Sequence, residues 1–310
     1  MMLARLLLIL AVIFAAPLSA VQGADAPRAK RVLILHSFGR DFPPFNAVSS
    51  NFRTALVRHS ANPIEFVEAS LEATLFAEAG SETPIVEYLR ALSAERPVDL
   101  LVPIAYRAVD FLQRHRDRLF PGVSLMAMAV DKRRLTGVEL GGNATVVGAS
   151  LDLAELVENI LRLLPDTANI EVVIGNSPFE RFWLGELRRN FQRFTDRVRF
   201  NWLNELPFGE MRRRLGGLPP DSAILYVLML RDAAGVPYEQ DRALDALRRD
   251  SNAPIFGIFD QQIGQGIVGG PLYANQEVSR QSATVALRIL AGASGGQDPA
   301  GILGARGIDL

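Results

Sequence analysis

The chain contains no cysteine. That excludes disulfides, thiolate metal sites, a cysteine nucleophile and a lipidated N-terminal cysteine, and it suits an oxidising compartment where free thiols are a liability. Histidine is scarce as well. His36, His59 and His115 lie far apart, none at the i, i+4 spacing of a helical zinc site. Neither sign of charge dominates: 33 Lys and Arg face 34 Asp and Glu, for a net charge of −1, so the clustered basic excess that nucleic acid demands is missing. The G-x-S-x-G elbow of a serine hydrolase and the phosphate-cradling Walker loop are both absent. Gly264-Gln265-Gly266 with Gly269-Gly270 is glycine-rich but late in the chain, away from the first strand-to-helix turn that dinucleotide binding uses, so it reads as tight turns at a hinge or pocket wall. These absences lead to an expectation of no enzyme, no cofactor and no metal.

Long hydrophobic runs are lacking except at the start. Arg5 precedes the apolar stretch Leu6–Ala16, Pro17 ends it, and Ser19, Ala20, Gly23 and Ala24 offer small residues for cleavage. A charged start, a short apolar core and a small-residue exit form a secretory signal. The stretch is well short of the roughly 20 residues that span a bilayer. The expectation is a cleaved signal peptide over residues 1–24 and a periplasmic mature protein.

What is present is a regular alternation. Apolar, β-branched runs read as strands at Arg31–His36, Ile64–Ala69, Asp99–Pro103, Val123–Val130, Ile170–Gly175, Val198–Leu203, Ala223–Leu230, Pro254–Phe259 and Ile267–Val268. Amphipathic stretches between them read as helices, among them Ala47–His59, Tyr106–Arg118, Asp152–Leu164, Glu180–Phe194 and a long last one over Asn275–Leu290. Strands alternating with helices imply βαβ units, and strands apolar on both faces need helices on both sides. With 310 residues and a rule of roughly 100–200 per domain, two lobes fit. The charged, glycine-rich Asp131–Gly142 marks a pause between them, with about four strands before it and five after. The fold class expected is α/β, two Rossmann-like lobes with parallel sheets flanked by helices. Residues 293–310 form a Gly-rich tail.

Ligands of open parallel sheets collect beyond the carboxyl ends of the strands. The residues found there are Ser37, Phe38 and Phe42 after the first strand, Ser70 and Glu72 after the second, Ala105 and Tyr106 after the third, and Asp131 after the fourth. In the second half they are Asn176 and Ser177, Arg231 and Asp232, and Asp260. This polar, aromatic and sparsely charged set suits a small polar or zwitterionic ligand. Each residue has a plainer use: Phe38, Phe42 and Phe45 as packing under a loop, His36 as a hydrogen-bonded structural histidine, Asp232 and Asp260 as helix caps, Tyr106 as lobe packing. The basic runs Arg114–Arg118 and Arg212–Arg214 read as solvated helix faces.

Three segments carry a resemblance: R-V-L-I-L-H-S-F-G-R-D over Arg31–Asp41, A-P-I-F-G-I-F-D-Q-Q-I-G-Q-G-I-V-G-G over Ala253–Gly270, and A-L-R-I-L-A-G over Ala286–Gly292, with Pro103, Tyr106 and Phe111 fitting the same pattern. The chain resembles the ABC-transporter substrate-binding proteins of the type I periplasmic binding fold, and most of all the branch found as the extracytoplasmic sensor region of bacterial histidine kinases. The resemblance implies a first lobe of residues 31–136 plus 275–292, a second lobe of residues 143–272, a cleft between them that closes on an amino-acid-like or other small ligand, and a final helix that packs on the first lobe. It also implies a membrane permease as partner, or a sensor kinase in the signalling alternative.

Overall fold

The computed structural model describes residues 28–72, 82–135, 141–149 and 151–292. The expected signal peptide and the Gly-rich tail lie outside the described residues. Two parallel sheets, each covered on both faces by helices, form two lobes.

The first sheet contains β1 (Lys30–His36), β2 (Ile64–Ser70), β3 (Leu100–Ile104), β4 (Leu125–Asp131) and β5 (Ala144–Ala149), in the order β2-β1-β3-β4-β5. Its helices are α1 (Phe45–His59), α2 (Thr83–Glu95) and α3 (Ala105–Leu119). Alternate residues of each strand serve opposite faces. Val32 and Ile34 of β1 pack with Phe52 and Leu56 of α1, while Leu33 and Leu35 pack with Leu89 of α2 and Leu112 of α3. That division of labour is why β1 reads as an unbroken apolar run.

The second sheet contains β6 (Asn169–Ile174), β7 (Arg199–Trp202), β8 (Ser222–Leu228) and β9 (Ile255–Phe256), in the order β7-β6-β8-β9. One face is covered by α4 (Leu153–Leu163) and α5 (Pro178–Phe191), the other by α6 (Phe208–Leu215) and α7 (Gln240–Asp250). The last helix, α8 (Asn275–Leu290), leaves this lobe and lies against α1 on the first: Val278, Ala283 and Ala286 share a core with Phe52 and Met128, and Ser279 Oγ donates to the Val48 carbonyl at 3.0 Å.

Two differences from the sequence reading stand out. The sheets hold five and four strands, not four and five: the first gains residues 144–149, which pair with β4 in the register Leu125↔Ala144 and Met126↔Thr145, and the second loses the strand expected at its end. The chain therefore leaves the first lobe after residue 149, later than the boundary expected at 143. Ile267–Val268 is not a strand. Its neighbourhood supplies single backbone bonds to the β9 segment, Val268 N to Ile255 O at 2.7 Å and Gly257 N to Gly269 O at 3.1 Å, held in a run of turns.

The glycine at 270 makes that run possible. Gly270 has φ +155°, and a Cβ there would run into the carbonyl oxygen of Gly257. Gly270→Ala is therefore expected to destabilise the protein by about 1–3 kcal/mol. Chemical denaturation checks this; a midpoint equal to that of the unsubstituted protein would contradict the role given to Gly270.

Candidate functional site

Both lobes aim the carboxyl ends of their strands at one gap. In each sheet the first and third strands in chain order lie side by side, and the connections from their ends run to opposite faces, which leaves a crevice. In the first lobe the crevice is edged by Ser37 and Phe38 after β1 and by Ala105 and Tyr106 after β3; in the second by Ser177 after β6 and Leu228 at the end of β8. A cavity of about 140 Å³ lies between them, walled by residues of both lobes.

Strain and capping gather at this wall. Ala105 and Ala129 have φ of +64° and +55°, in the left-handed region that costs a non-glycine residue about 1–2 kcal/mol, and both touch the cavity. Ser37 fixes the start of α3: its hydroxyl donates to Ile104 O at 2.6 Å and accepts from Ala108 N at 2.8 Å. The amides of Ala105, Tyr106 and Arg107, which have no acceptor within the helix, are thereby held at the cavity edge. Across the gap, Ser177 caps α5 in a reciprocal box with Glu180. Glu180 is fully buried. Its carboxylate accepts from Ser177 N at 2.8 Å and Leu230 N at 2.6 Å, tying the start of α5 to the end of β8. Burial pushes the Glu180 pKa up against these bonds. Gly175 permits the arrangement, since a Cβ there would run into the Glu180 carboxylate and the Arg231 carbonyl.

Aromatic rings line part of the cavity. Phe38, Phe42 and Phe45 form a stack in the first lobe, with Phe38 4.4 Å from Phe42 and 5.9 Å from Phe45. Phe179 of α5 reaches across and meets all three edge-on, at 5.0, 6.5 and 6.5 Å. Such pairs contribute about 0.5–1.5 kcal/mol each beyond the area they bury. Two hydrogen bonds run beside the seam: Gln240 Nε2 to Pro43 O at 3.1 Å and Gln261 Nε2 to Pro44 O at 3.2 Å. Trp183, Phe259 and Tyr273 complete the aromatic wall. Burial pushes the Tyr273 phenol far up, so it stays neutral.

Charged side chains border the same cavity, among the rings. Asp131 is engaged by Arg133, whose Nε and Nη2 donate to its two carboxylate oxygens at 2.7 and 2.6 Å. Arg134 also borders the cavity. Its guanidinium lies 3.4 Å from the Phe182 ring centre and 5.3 Å from that of Tyr106, with no carboxylate oxygen within 4 Å among the described residues. The two arginines respond oppositely. Burial lowers the Arg134 pKa, while for Arg133 the bonds from Asp131 outweigh burial and leave its pKa raised.

Of the residues picked from the sequence, Phe38, Ala105, Tyr106, Asp131 and Ser177 are on the cavity wall, and Phe42 stacks directly behind Phe38. Ser37 stands just behind the wall as the cap described above. Asp260 accepts from Asn275 Nδ2 at 2.6 Å and clasps the return crossing into α8. Ser70, Glu72, Asn176, Arg231 and Asp232 are off the wall. Asn176 N donates to Arg231 O at 2.7 Å, and the Arg231 side chain is exposed. Asp232, 4% exposed, accepts from the amides of Phe208, Ala234 and Val236 and from the Tyr238 hydroxyl, organising a loop at the start of α6. The sequence reading passed over Arg134, hidden in a charged connection, and Phe179 and Trp183, which follow the Ser177-Pro178 helix start and so are marked by it.

No protein-family model and no curated protein sequence matches the chain. Solved structures do match in fold. The ABC domain from Streptococcus pneumonia in complex with L-Trp is 15% identical, with 90% of each chain covered and a TM-score of 0.62. A substrate-binding protein with adhesive properties from Clostridium difficile, in its ligand-free, open form, is 14% identical over 89% of this chain and 90% of that one, with a TM-score of 0.59. An ABC transporter solute-binding protein from Bacillus halodurans with bound myo-inositol is 14% identical over 87% and 92%, with a TM-score of 0.53. The fold is that of the ABC-transporter solute-binding proteins.

Asp232 separates stability from binding. Asp232→Ala leaves buried amides without an acceptor and is expected to cost about 1–3 kcal/mol, with ligand affinity unchanged. Burial raises the Asp232 pKa, but the four donors outweigh it and hold the carboxyl below its ordinary range. Its contribution is thus complete above the ordinary aspartate pKa and lost as pH falls through the lowered folded value. Acid titration of Asp232→Asn should show a shallower loss of stability below pH ~4; an identical acid limb would refute the assignment.

Proposed function

We propose that this protein is an extracytoplasmic solute-binding protein, the substrate-binding component of an ABC-type transporter, whose two lobes close on a small ligand and then present the closed form to a membrane permease. The observation that carries the reading is the cavity itself. It lies at the crevices of both sheets at once, so a molecule inside contacts both lobes only when they are shut. A ligand shifts an equilibrium by its differential affinity for the two states, and contacts available only on closure supply that difference. The Phe179 seam and the glutamine bonds from residues 240 and 261 are the contacts that closure makes and opening breaks.

The volume limits the ligand. A cavity of about 140 Å³ is close to the ~150 Å³ that takes up benzene in an engineered protein core, so one ring or its equivalent fits and a disaccharide does not. An amino-acid-like or other small ligand with a compact body suits this space. The polar groups of the wall are already engaged in ways that favour binding over catalysis: the Ser177 hydroxyl accepts from the α5 amide of Glu180 at 3.3 Å, and Asp131 is held by Arg133. The export signal read in residues 1–24 supports an extracytoplasmic site of action. Among the described residues no helix is long and apolar enough to cross a membrane.

The test is a thermal-shift screen against amino acids, organic acids, polyols, sugars and nucleosides. A binder at about 100 times its Kd should add about 2.7 kcal/mol to the stability of the protein. Phe179→Ala should weaken that ligand by about tenfold while leaving the free protein folded. Silence across the whole panel would overturn the solute-binding reading.

A further inference from the structure

The cavity wall combines rings with a cation that has no ion-pair partner, and the combination defines a ligand. Arg134 is half-buried, has no carboxylate oxygen within 4 Å among the described residues, and lies over two rings, Phe182 at 3.4 Å and Tyr106 at 5.3 Å. Stacking occupies the faces of a guanidinium and leaves its in-plane N–H donors available, and those donors fit a carboxylate in a fork. Desolvating a positive group without a partner is costly, and proteins keep such a group where a ligand completes it. Next to it, Arg133 and Asp131 neutralise one another through two short bonds, and the Asp131 carboxylate, 8% exposed, has both oxygens occupied. Arg107 also borders the cavity, on the first turn of α3. The wall therefore offers an anion a guanidinium without an ion pair, while its one carboxylate, Asp131, is already neutralised by Arg133.

We infer that the cavity takes a small monocarboxylate with an apolar, preferably aromatic, body and no ammonium group, with Arg134 as the residue that receives the carboxylate. This rests on the solute-binding reading above and sharpens it: an arylalkanoic acid should be preferred over the amino acid of the same skeleton.

The chain has two tryptophans. Trp183 is on the cavity wall, whereas Trp202 stacks with Phe191 at 5.9 Å elsewhere in the second lobe. A Trp202→Phe protein thus reports from Trp183 alone. Its fluorescence is titrated with phenylacetate, its neutral isostere phenylacetamide, and phenylalanine. Phenylacetate should bind saturably and at least about tenfold tighter than either of the others. Arg134→Gln should reduce phenylacetate to the level of the amide and leave the amide unchanged, and Arg134→Lys should retain part of the preference. Phenylalanine binding more tightly than phenylacetate, or Arg134→Gln weakening acid and amide alike, overturns the inference while leaving the solute-binding reading intact. The same holds if only polyols or sugars bind. If no compound in the wider panel binds, that reading itself fails and this one with it.

Discussion

The meeting of two sheet ends across the Phe179 ring is the constraint on which the rest of the structure depends. Each lobe has its own double-sided core. What the lobes share is a narrow band: the ring seam, two glutamine side chains bonded to proline carbonyls, and the arginines that lean from the first lobe onto Phe182 and Trp183 of the second. Such a band is strong enough to define a closed state and thin enough to be given up. Inter-lobe contacts of this limited kind make relative motion the default expectation.

Rigidity is concentrated just behind the band. Ser37 caps α3 from a different strand, Glu180 ties α5 to β8, and Gly175 and Gly270 allow backbones to approach where side chains would collide. Ala105 and Ala129 hold strained backbone at the cavity wall. The wall of each lobe is thus preorganised, and the proposed closure would bring together surfaces that are already shaped. The half-buried Arg134, without an ion pair among the described residues, and the two strained alanines are costs borne at the wall, where the proposed binding would offset them.

Much of the fold was legible in the sequence because its signal is physical and local. Strands buried on both faces have to be apolar at every position, so β1, β3, β4 and β8 stand out as runs. The helix start read at Asp152 is marked by its own chemistry, since its side chain accepts from first-turn amides, whereas the helix read from Glu180 begins at Pro178 behind the Ser177 cap. β5 falls inside the second-lobe boundary expected at 143 because a short strand behind a glycine-rich connection carries no information about which sheet it joins; pairing with β4 is a tertiary choice. The site was legible only as positions along the chain. Looking just past each strand leads to Phe38, Tyr106 and Asp131, which face the cavity, and equally to Asp232, which turns inward to satisfy amides of its own loop. Strand ends specify where a residue is, not where its side chain points. Arg134 gave no signal at all, since an arginine in a charged connection looks solvated until a second lobe is laid over it.

The central claim is that the cavity belongs to a closed state that ligand stabilises, and an inter-lobe distance tests it most directly. Because the chain lacks cysteine, Ser50→Cys on α1 and Arg242→Cys on α7, both at exposed positions of opposite lobes, accept spin labels cleanly. The account predicts a broad or long distance distribution in the free protein that collapses to one short distance when a bound solute saturates the cavity. A single distribution, identical with and without a solute that demonstrably binds, would contradict it.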